Sequence, residues 1–327
     1  MTLKYIYNRF HQMKHDYIGE TSFVRTCWLW LGWINNAILY GASISDYFAY
    51  GFYKLNHTGK QEFITYRRFH KILRKANNQN DIDIYRSKIH FNNVFSDLLG
   101  REWLDTKTIT AEELAGFLKK HNYFFIKEIM SFRGTGVKRI ESNGIHPEEF
   151  LKDCLADKCS HYIIEEPLME LDALKEFHPW SVNTLRIVTL YDTQHEIVHI
   201  MSATLRVGNN QKNVDNLHFG GIGCNIDIPS GVVATIGYDT HNNTYIVHPI
   251  TQKQLVGFKI PYWQECLREI KEAAKRTPTV RYVGWDVILD KYGKCCIIEG
   301  NDNADHDLQQ LHNKGLWKEY KSILKHL

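Results

Sequence analysis

The chain has 327 residues, 43% of them hydrophobic and 24% charged, with a formal net charge of +3. This composition excludes a disordered, collagenous or polytopic membrane chain, and so small a charge gives no support to nucleic acid as a partner. The length suggests about two domains and a core that needs no disulfide or structural metal. Seven cysteines, an odd number with no CxxC, fit a reducing compartment. The first 26 residues carry no apolar signal core, so a cytoplasmic location is expected.

Residues 1–90 hold 13 Lys/Arg against 6 Asp/Glu, while the remainder holds 27 against 31. Residues 1–84 therefore read as a basic, helical segment. Within it, residues 27–40 form an apolar stretch with Trp28, Trp30 and Trp33. It is shorter than the roughly 20 residues a bilayer span requires. A buried helix is the favoured reading. The second reading is a peripheral contact with anionic lipid on the inner face of the membrane, which Trp and basic residues suit. Residues 46–76 repeat apolar side chains at helical spacing, interrupted at Gly59, and residues 77–81 form a polar linker.

From residue 85 the pattern changes. Runs at 123–127, 161–166, 185–191, 196–205, 283–289 and 294–299 are rich in β-formers and bounded by turn signals. Helices are expected at 111–120, 147–157, 261–276 and 308–326, the third opening on Pro261. Closely spaced strands predict an α+β fold with antiparallel sheets.

No Walker A, GxGxxG, GxSxG or HExxH sequence occurs. The strongest chemical signal lies near the C-terminus. Asp286 sits in one strand run, and Glu299 and Asn301 end the next, two residues apart and so on one face. Two carboxylates and an amide oxygen suit Mg²⁺; a solvated strand edge is the alternative. Lys127 ends a short strand ahead of Gly134-Thr135-Gly136, a small turn whose backbone N–H groups can approach phosphate. Taken alone it is more often a plain hairpin turn, and Lys88 alone is a solvated lysine. The apolar run into Glu165 and Glu166 can offer a backbone edge to a base, or can simply end at the surface.

The ordered set of these residues resembles the ATP-grasp fold, and best its sugar-transfer-associated branch. The resemblance covers about residues 85–305. It rests on His178-Pro-Trp-Ser-Val-Asn183-Thr184-Leu-Arg186, on Ser202 to Arg206, on Asn216-Leu-His218-Phe-Gly220-Gly221 and on the Asp286/Glu299/Asn301 set. The Arg206 and 216–221 segments are also similar to ligases that add glutamate to a protein carboxylate. The resemblance implies two α+β subdomains clasping ATP, at 85–180 and 181–327, behind the helical segment 1–84. It implies that Lys88 and Lys127 contact the phosphates and that Gly134, Thr135 and Gly136 form a flap over them. Glu165, Glu166 and Leu168 would form the hinge at adenine, and Asn183 or Thr184 would reach the ribose. Asp286, Glu299 and Asn301 would hold one or two Mg²⁺, with Arg206 and Arg186 at the γ-phosphate. Asn216, His218, Gly220, Gly221 and His306 would border the substrate.

The activity so implied is ATP-dependent joining of a carboxylate to an amine through an acyl phosphate. The substrates would be a small or lipid-linked sugar acid and an amino acid or other amine, in surface-polysaccharide synthesis. Two departures from the ligase pattern stand out. Gly284 occupies a position where many relatives carry Arg, and the segment after Asn301 reads Asp-Asn-Ala-Asp-His306-Asp307. A phosphotransferase of the same fold and a non-catalytic nucleotide- or glycan-binding module are the competing readings; a nucleic-acid binder is weaker still.

Overall fold

Apolar, β-branched runs along the second half of the chain, buried on both faces in β5 (Thr184–Asp192) and β11 (Tyr282–Leu289), build the larger of two antiparallel sheets. The computed structural model describes residues 2–130, 136–156, 161–209 and 220–327, the side chains of 311–313 excepted. Helices α1 (Leu3–Ile18), α2 (Phe23–Tyr40), α3 (Ile44–Ala49), α4 (His57–Gln61) and α5 (Tyr66–Ala76) come first, followed by the short α6 (Asp83–Arg86) and α7 (Lys88–Val94). Next come β1 (Trp103–Asp105), α8 (Ala111–Lys120), β2 (Tyr123–Glu128), β3 (Val137–Glu141), α9 (Pro147–Ala156) and β4 (Tyr162–Glu165). After α10 (Asp172–Lys175) the chain forms β5 (Thr184–Asp192), β6 (Ile197–Val207), β7 (Ile222–Asp227), β8 (Val232–Val233), β9 (Gly237–Tyr238) and β10 (Thr244–Tyr245). It ends with α11 (Trp263–Lys275), β11 (Tyr282–Leu289), β12 (Cys295–Asn301), a 3-10 turn at Leu308–Asn313 and α12 (Trp317–Ile323).

The small sheet has the order β1-β4-β2-β3. The large sheet has eight strands in the order β10-β9-β7-β6-β5-β11-β12, with β8 paired to β7. One face of the large sheet buries Trp285, Ile187 and Leu205 against α11 and against Phe91 and Phe95 of the α7 region. The other face carries Val188, Leu190 and Tyr282 against Phe69 and Ile72 of α5 and Tyr320 of α12. The small sheet packs Phe124, Ile126 and Ile164 against Leu114 and Phe117 of α8 and Leu151 of α9. Helix α8 starts where the sequence places it, because Thr110 and Glu113 close a capping box that satisfies two otherwise orphaned N–H groups.

Three expected helices differ in detail. Residues 46–76 do not break at Gly59, which lies inside α4; they break at Gly51, which adopts φ of 63° in a tight turn after α3, and again between α4 and α5. The segment 261–276 becomes helical only at Trp263, because Tyr262 is left-handed with φ of 51°. Residues 308–326 are not one helix. Gly315 lies so close to the Glu62 carbonyl that a Cβ there would sit 2.3 Å from its oxygen, and the Trp317 N–H donates to that same oxygen at 2.8 Å.

The expectation that residues 27–40 form a buried helix is corrected. They belong to α2, which buries Leu29 and Asn36 and turns an apolar face outward, with Trp28 70% and Ile38 67% exposed. The helix is apolar around its whole circumference, and α1 and α3 cover only one side of it.

The helical segment is tied to the chain that leaves β12. Asp46 accepts hydrogen bonds from the Ser43 and Tyr66 N–H groups at 2.7 and 2.8 Å and pairs with His306 at 3.0 Å. His306 also stacks on Phe69, with ring centroids 4.7 Å apart. Gln310 accepts from the Ile64 N–H at 2.7 Å and donates to the Tyr50 hydroxyl at 2.9 Å. Burial opposes charging of His306, but its hydrogen bond to Asp46 and the Asp46 charge outweigh it and raise its pKa above 6.5. A raised histidine stabilises the fold fully below its unfolded pKa and less as pH rises through the folded one. His306→Gln is therefore expected to melt below the wild type, with the gap widest under pH 6.5 and closing at higher pH. A gap of constant size would contradict a charged His306.

Candidate active site

Strands β11 and β12 form a hairpin whose turn is closed by Asp290, which accepts from the Tyr292 and Lys294 N–H groups at 2.8 and 2.9 Å. Asp286 pairs with Glu299, but Val287 pairs with Ile297, so Ile298 is an extra residue. Such a bulge bends a strand and re-aims its side chains, here at the end that carries Glu299 and Asn301. On the other side of β11, Arg186 of β5 stands opposite Asp286, and Thr204 of β6 stands opposite Arg186. Residues directly opposite in neighbouring strands share a face. Glu299, Asp286, Arg186 and Thr204 therefore form one transverse row, on the face that also carries α5 and α12.

Asp286 is buried and held by two arginines. Arg186 donates to it through Nε at 2.5 Å and Nη2 at 2.8 Å, and Arg206 donates through Nη1 at 3.0 Å. Burial alone would raise its pKa, but the two guanidinium charges hold it far below the usual carboxylate range. Glu299 is open to solvent, and its Oε1 accepts from Asn301 Nδ2 at 3.2 Å. The surrounding protein and the adjacent Asp286 charge push its pKa upward. Gly284 leaves no room for a side chain, since a Cβ would lie 2.3 Å from the Ala304 Cβ. Arg186 Nη1 would be 3.6 Å from that same point. Arg186 thus reaches from the next strand over Gly284.

A second charged cluster lies on the small sheet. Glu165, at the end of β4, is buried between Arg101 and Lys127. Its Oε2 is 3.0 Å from Arg101 Nε and 2.5 Å from Lys127 Nζ. Arg101 Nη2 donates to Glu165 Oε1 at 3.0 Å and to the Ile298 carbonyl at 3.1 Å, and Nη1 donates to the Ile297 carbonyl at 2.9 Å. One guanidinium therefore joins the small sheet to the bulge in β12. Lys88, the first residue of α7, donates to the Ile129 carbonyl at 3.4 Å. Burial lowers its pKa, against the charges of Glu299 and Glu165, while Lys127 adds to the lowering. Lys88, Lys127, Glu165 and Glu299 are thus close enough to influence one another across the two sheets.

Not every residue expected at the site joins these clusters. Glu165 was expected beside adenine; its carboxylate instead holds Arg101 and Lys127. Glu166 accepts from the Glu102 N–H at 2.9 Å, and its own N–H donates to the Glu102 carbonyl at 3.0 Å. Leu168 is half-buried in the segment beyond β4. Asn183 is fully buried, with its amide donating to Glu170 at 3.1 Å and to the Leu174 carbonyl at 2.9 Å. It anchors the entry to β5 and does not face an open site. Thr184 is buried beside it. His306, expected near substrate, is the partner of Asp46 and has a side chain 12% exposed. Gly136 precedes β3 with φ of 74°, and Gly220 and Gly221 precede β7. Gly134, Thr135, Asn216 and His218 lie outside the described residues. Arg101 had no mark in the sequence beyond following Gly100, whose φ is 63° and whose Cβ would collide with Cys296.

The donors at the row are all oxygen: the Asp286 and Glu299 carboxylates and the Asn301 amide. Among the described residues no three His, Cys, Asp or Glu side chains gather into a metal cage. A donor set of oxygens alone suits Mg²⁺, which is held by one or two carboxylates and completes its shell with phosphates and water.

The two sheets, their order and their helices make this an α+β protein of the ATP-grasp fold. The profile of the sugar-transfer associated ATP-grasp family matches residues 149–325, and the chain belongs to that family. Among solved structures it is similar to the ATP-grasp ligase PsnB complexed with a minimal precursor, at 11% identity over 77% of this chain and 64% of that one, with a TM-score of 0.46. It is also similar to the D-alanine-D-alanine ligase from Coxiella burnetii, at 9% identity over 76% and 60% with a TM-score of 0.43. A third is the N5-carboxyaminoimidazole ribonucleotide synthetase from Thermotoga maritima, at 9% identity over 72% and 50% with a TM-score of 0.40. The chain spans less than two thirds of each of these neighbours, and a likeness so remote bears on neither substrate nor mechanism. No curated protein matches the chain.

The Glu165 cluster gives an acid-stability prediction. Burial would raise the Glu165 pKa, but Arg101 and Lys127 outweigh it and bring it from 4.5 to about 2. A depressed carboxylate stabilises the fold above its unfolded pKa, and that stability is lost as pH falls through the folded one. Glu165→Gln is expected to cost about 3 kcal/mol near neutral pH. The gap in denaturant melts should shrink between pH 4.5 and 2. An equal gap at both ends of that window would mean that Glu165 is not ionised in the fold.

Proposed function

We propose that the chain is an ATP-dependent carboxylate–amine ligase, acting on a sugar acid or amino acid during synthesis of a surface polysaccharide such as capsule or O-antigen. One observation carries the ligase reading. Five cations, Lys88, Arg101, Lys127, Arg186 and Arg206, drawn from both sheets and the helix before them, gather at the Glu165, Asp286 and Glu299 carboxylates, with Glu128 and Asp305 also near. Cations converging from separate elements suit a polyanion such as the phosphates of a nucleotide. The sugar context rests on the family's association with sugar transfer. The acceptor is then a small or lipid-linked sugar, and the co-substrate an amino acid or another amine.

In this reading residues 85–180 and 181–327 are the two ATP-binding subdomains behind the helical segment 1–84. Lys88 and Lys127 supply positive charge to the phosphates. Residues 134–136 cover them, excluding water that would hydrolyse a reactive acyl phosphate. The segment at Glu166 and Leu168 lies beside adenine, and Thr184 lies near the ribose. Asp286, Glu299 and Asn301 hold one or two Mg²⁺, which supplies neutralisation of phosphate charge when bound. Residues 216–221 border the acceptor.

The substrate carboxylate attacks the γ-phosphorus, and the bond to the β-phosphate oxygen breaks to release ADP. Arg186 and Arg206, already oriented by Asp286, offset the charge that develops on the transferring group. The amine then adds to the acyl phosphate carbonyl, and phosphate leaves as the amide forms. Backbone N–H groups or Arg186 stabilise the tetrahedral oxyanion between these steps. Preorganisation matters here, because a guanidinium fixed before substrate arrives costs no reorganisation during the reaction.

With Mg-ATP, ADP and phosphate are expected only when pools of sugar acids and of amino acids are supplied together. Carboxylate labelled with ¹⁸O should pass one labelled oxygen to the phosphate released. A phosphorylated sugar without amide would replace the ligase by a phosphotransferase. Absence of turnover with every pool, in a chain that binds ATP, would leave a nucleotide-binding module.

A further inference from the structure

Helix α2 is apolar on its outward side as well as its inward side, unlike a surface helix of a soluble domain, and this observation is independent of the ligase reading. Over 18 residues its only charged side chain is Arg25. Its inward side packs Trp30 on Phe10, with ring centroids 3.8 Å apart, and points Asn36 Nδ2 at the Gly32 carbonyl at 2.7 Å. Its outward side presents Phe23 (82% exposed), Trp28, Leu31 (59%), Ile34 and Ile38. At 100° per residue these fall within one face, which runs the helix length of about 27 Å.

Cations border that face. Arg67 of α5 donates to the Ala37 and Ile38 carbonyls at 2.7 and 2.9 Å, which caps the C-terminal end of α2. Beside it opens a groove of about 490 Å³ whose lining includes Arg67, His70 and Arg74. Lys71 is exposed on the same helix. Residues 1–80 contain only Asp16, Glu20, Asp46 and Glu62 as acids, and Asp46 is buried. A second copy of the chain laid on this face would bring like charges together. No described helix is long and apolar enough to cross a membrane. An apolar face of this length bordered by cations fits a helix lying in the plane of a bilayer surface, with its bordering arginines at the level of lipid phosphates.

We propose that the outward face of α2 docks the protein on an anionic phospholipid bilayer, inserting Trp28, Leu31 and Ile38 while Arg67 and Arg74 meet the headgroups. The test is sedimentation of the full chain with phosphatidylcholine vesicles, with and without phosphatidylglycerol. Binding is expected to the anionic vesicles, falling about tenfold or more in high salt or in Arg74→Glu. It should vanish in the double variant Leu31→Asp, Ile38→Asp, whose melting temperature should stay near that of the wild type because both sites are exposed. If that variant unfolds, brominated lipid decides the matter. Quenching of wild-type tryptophan emission that is lost in Trp28→Phe supports insertion, and absence of quenching overturns it. Failure to bind anionic vesicles overturns the proposal. So does a dimer in light scattering that Leu31→Asp converts to monomer while vesicle binding is absent, since a second copy would then cover the face.

Discussion

The Asp286 carboxylate, buried on β11, is held by two guanidinium groups from two other strands. Leaving so buried a charge unpaired would cost several kcal/mol, so the register of β5, β6 and β11 must keep Arg186 and Arg206 within reach. Everything at the site is referred to that clamp. It fixes the side of the sheet that carries chemistry, because Glu299 stands opposite Asp286 and Asn301 two residues on. It also explains Gly284, whose empty side-chain position gives Ala304 and the Arg186 side chain their space.

The Arg101 contact extends this arrangement to the small sheet. The guanidinium that neutralises Glu165 also satisfies the carbonyls of Ile297 and of the extra residue Ile298 at the β12 bulge. A local irregularity in one sheet is thus stabilised by a charge belonging to the other. Lys127 shares the same carboxylate, so its ammonium is placed by Glu165 before any ligand arrives. The helical segment is attached in a comparable way, through Asp46 and Gln310, to the chain just beyond β12. Elements distant in sequence therefore meet around the end of one strand.

Much of this was legible in the chain itself. The strand runs at 123–127, 185–191, 196–205 and 283–289 appear within two residues of β2, β5, β6 and β11, because short runs rich in β-formers and bounded by turn signals mark a strand, here mostly buried on both faces. Asp286 and Glu299, read in sequence on consecutive strand runs, stand directly opposite one another. Partner choice was not legible. Glu165 and Asn183 look like ligand-facing polar residues in sequence, but their partners, Arg101 and Glu170, are 64 and 13 residues away. The break at Gly315 depends on the Glu62 backbone, and the charge of His306 depends on Asp46. For α2, hydropathy correctly suggested a helix but not which side is covered, since the stretch is apolar all round.

Titration of the chain with ATP, in the presence and absence of Mg²⁺, tests the account most directly when wild type is set beside Glu299→Gln and Lys88→Met. The account predicts Mg-dependent binding in the wild type and a loss of about tenfold or more in each variant, at an unchanged melting temperature. Equal ATP affinity in all three chains would contradict the placement of the nucleotide between the Asp286 row and the two lysines.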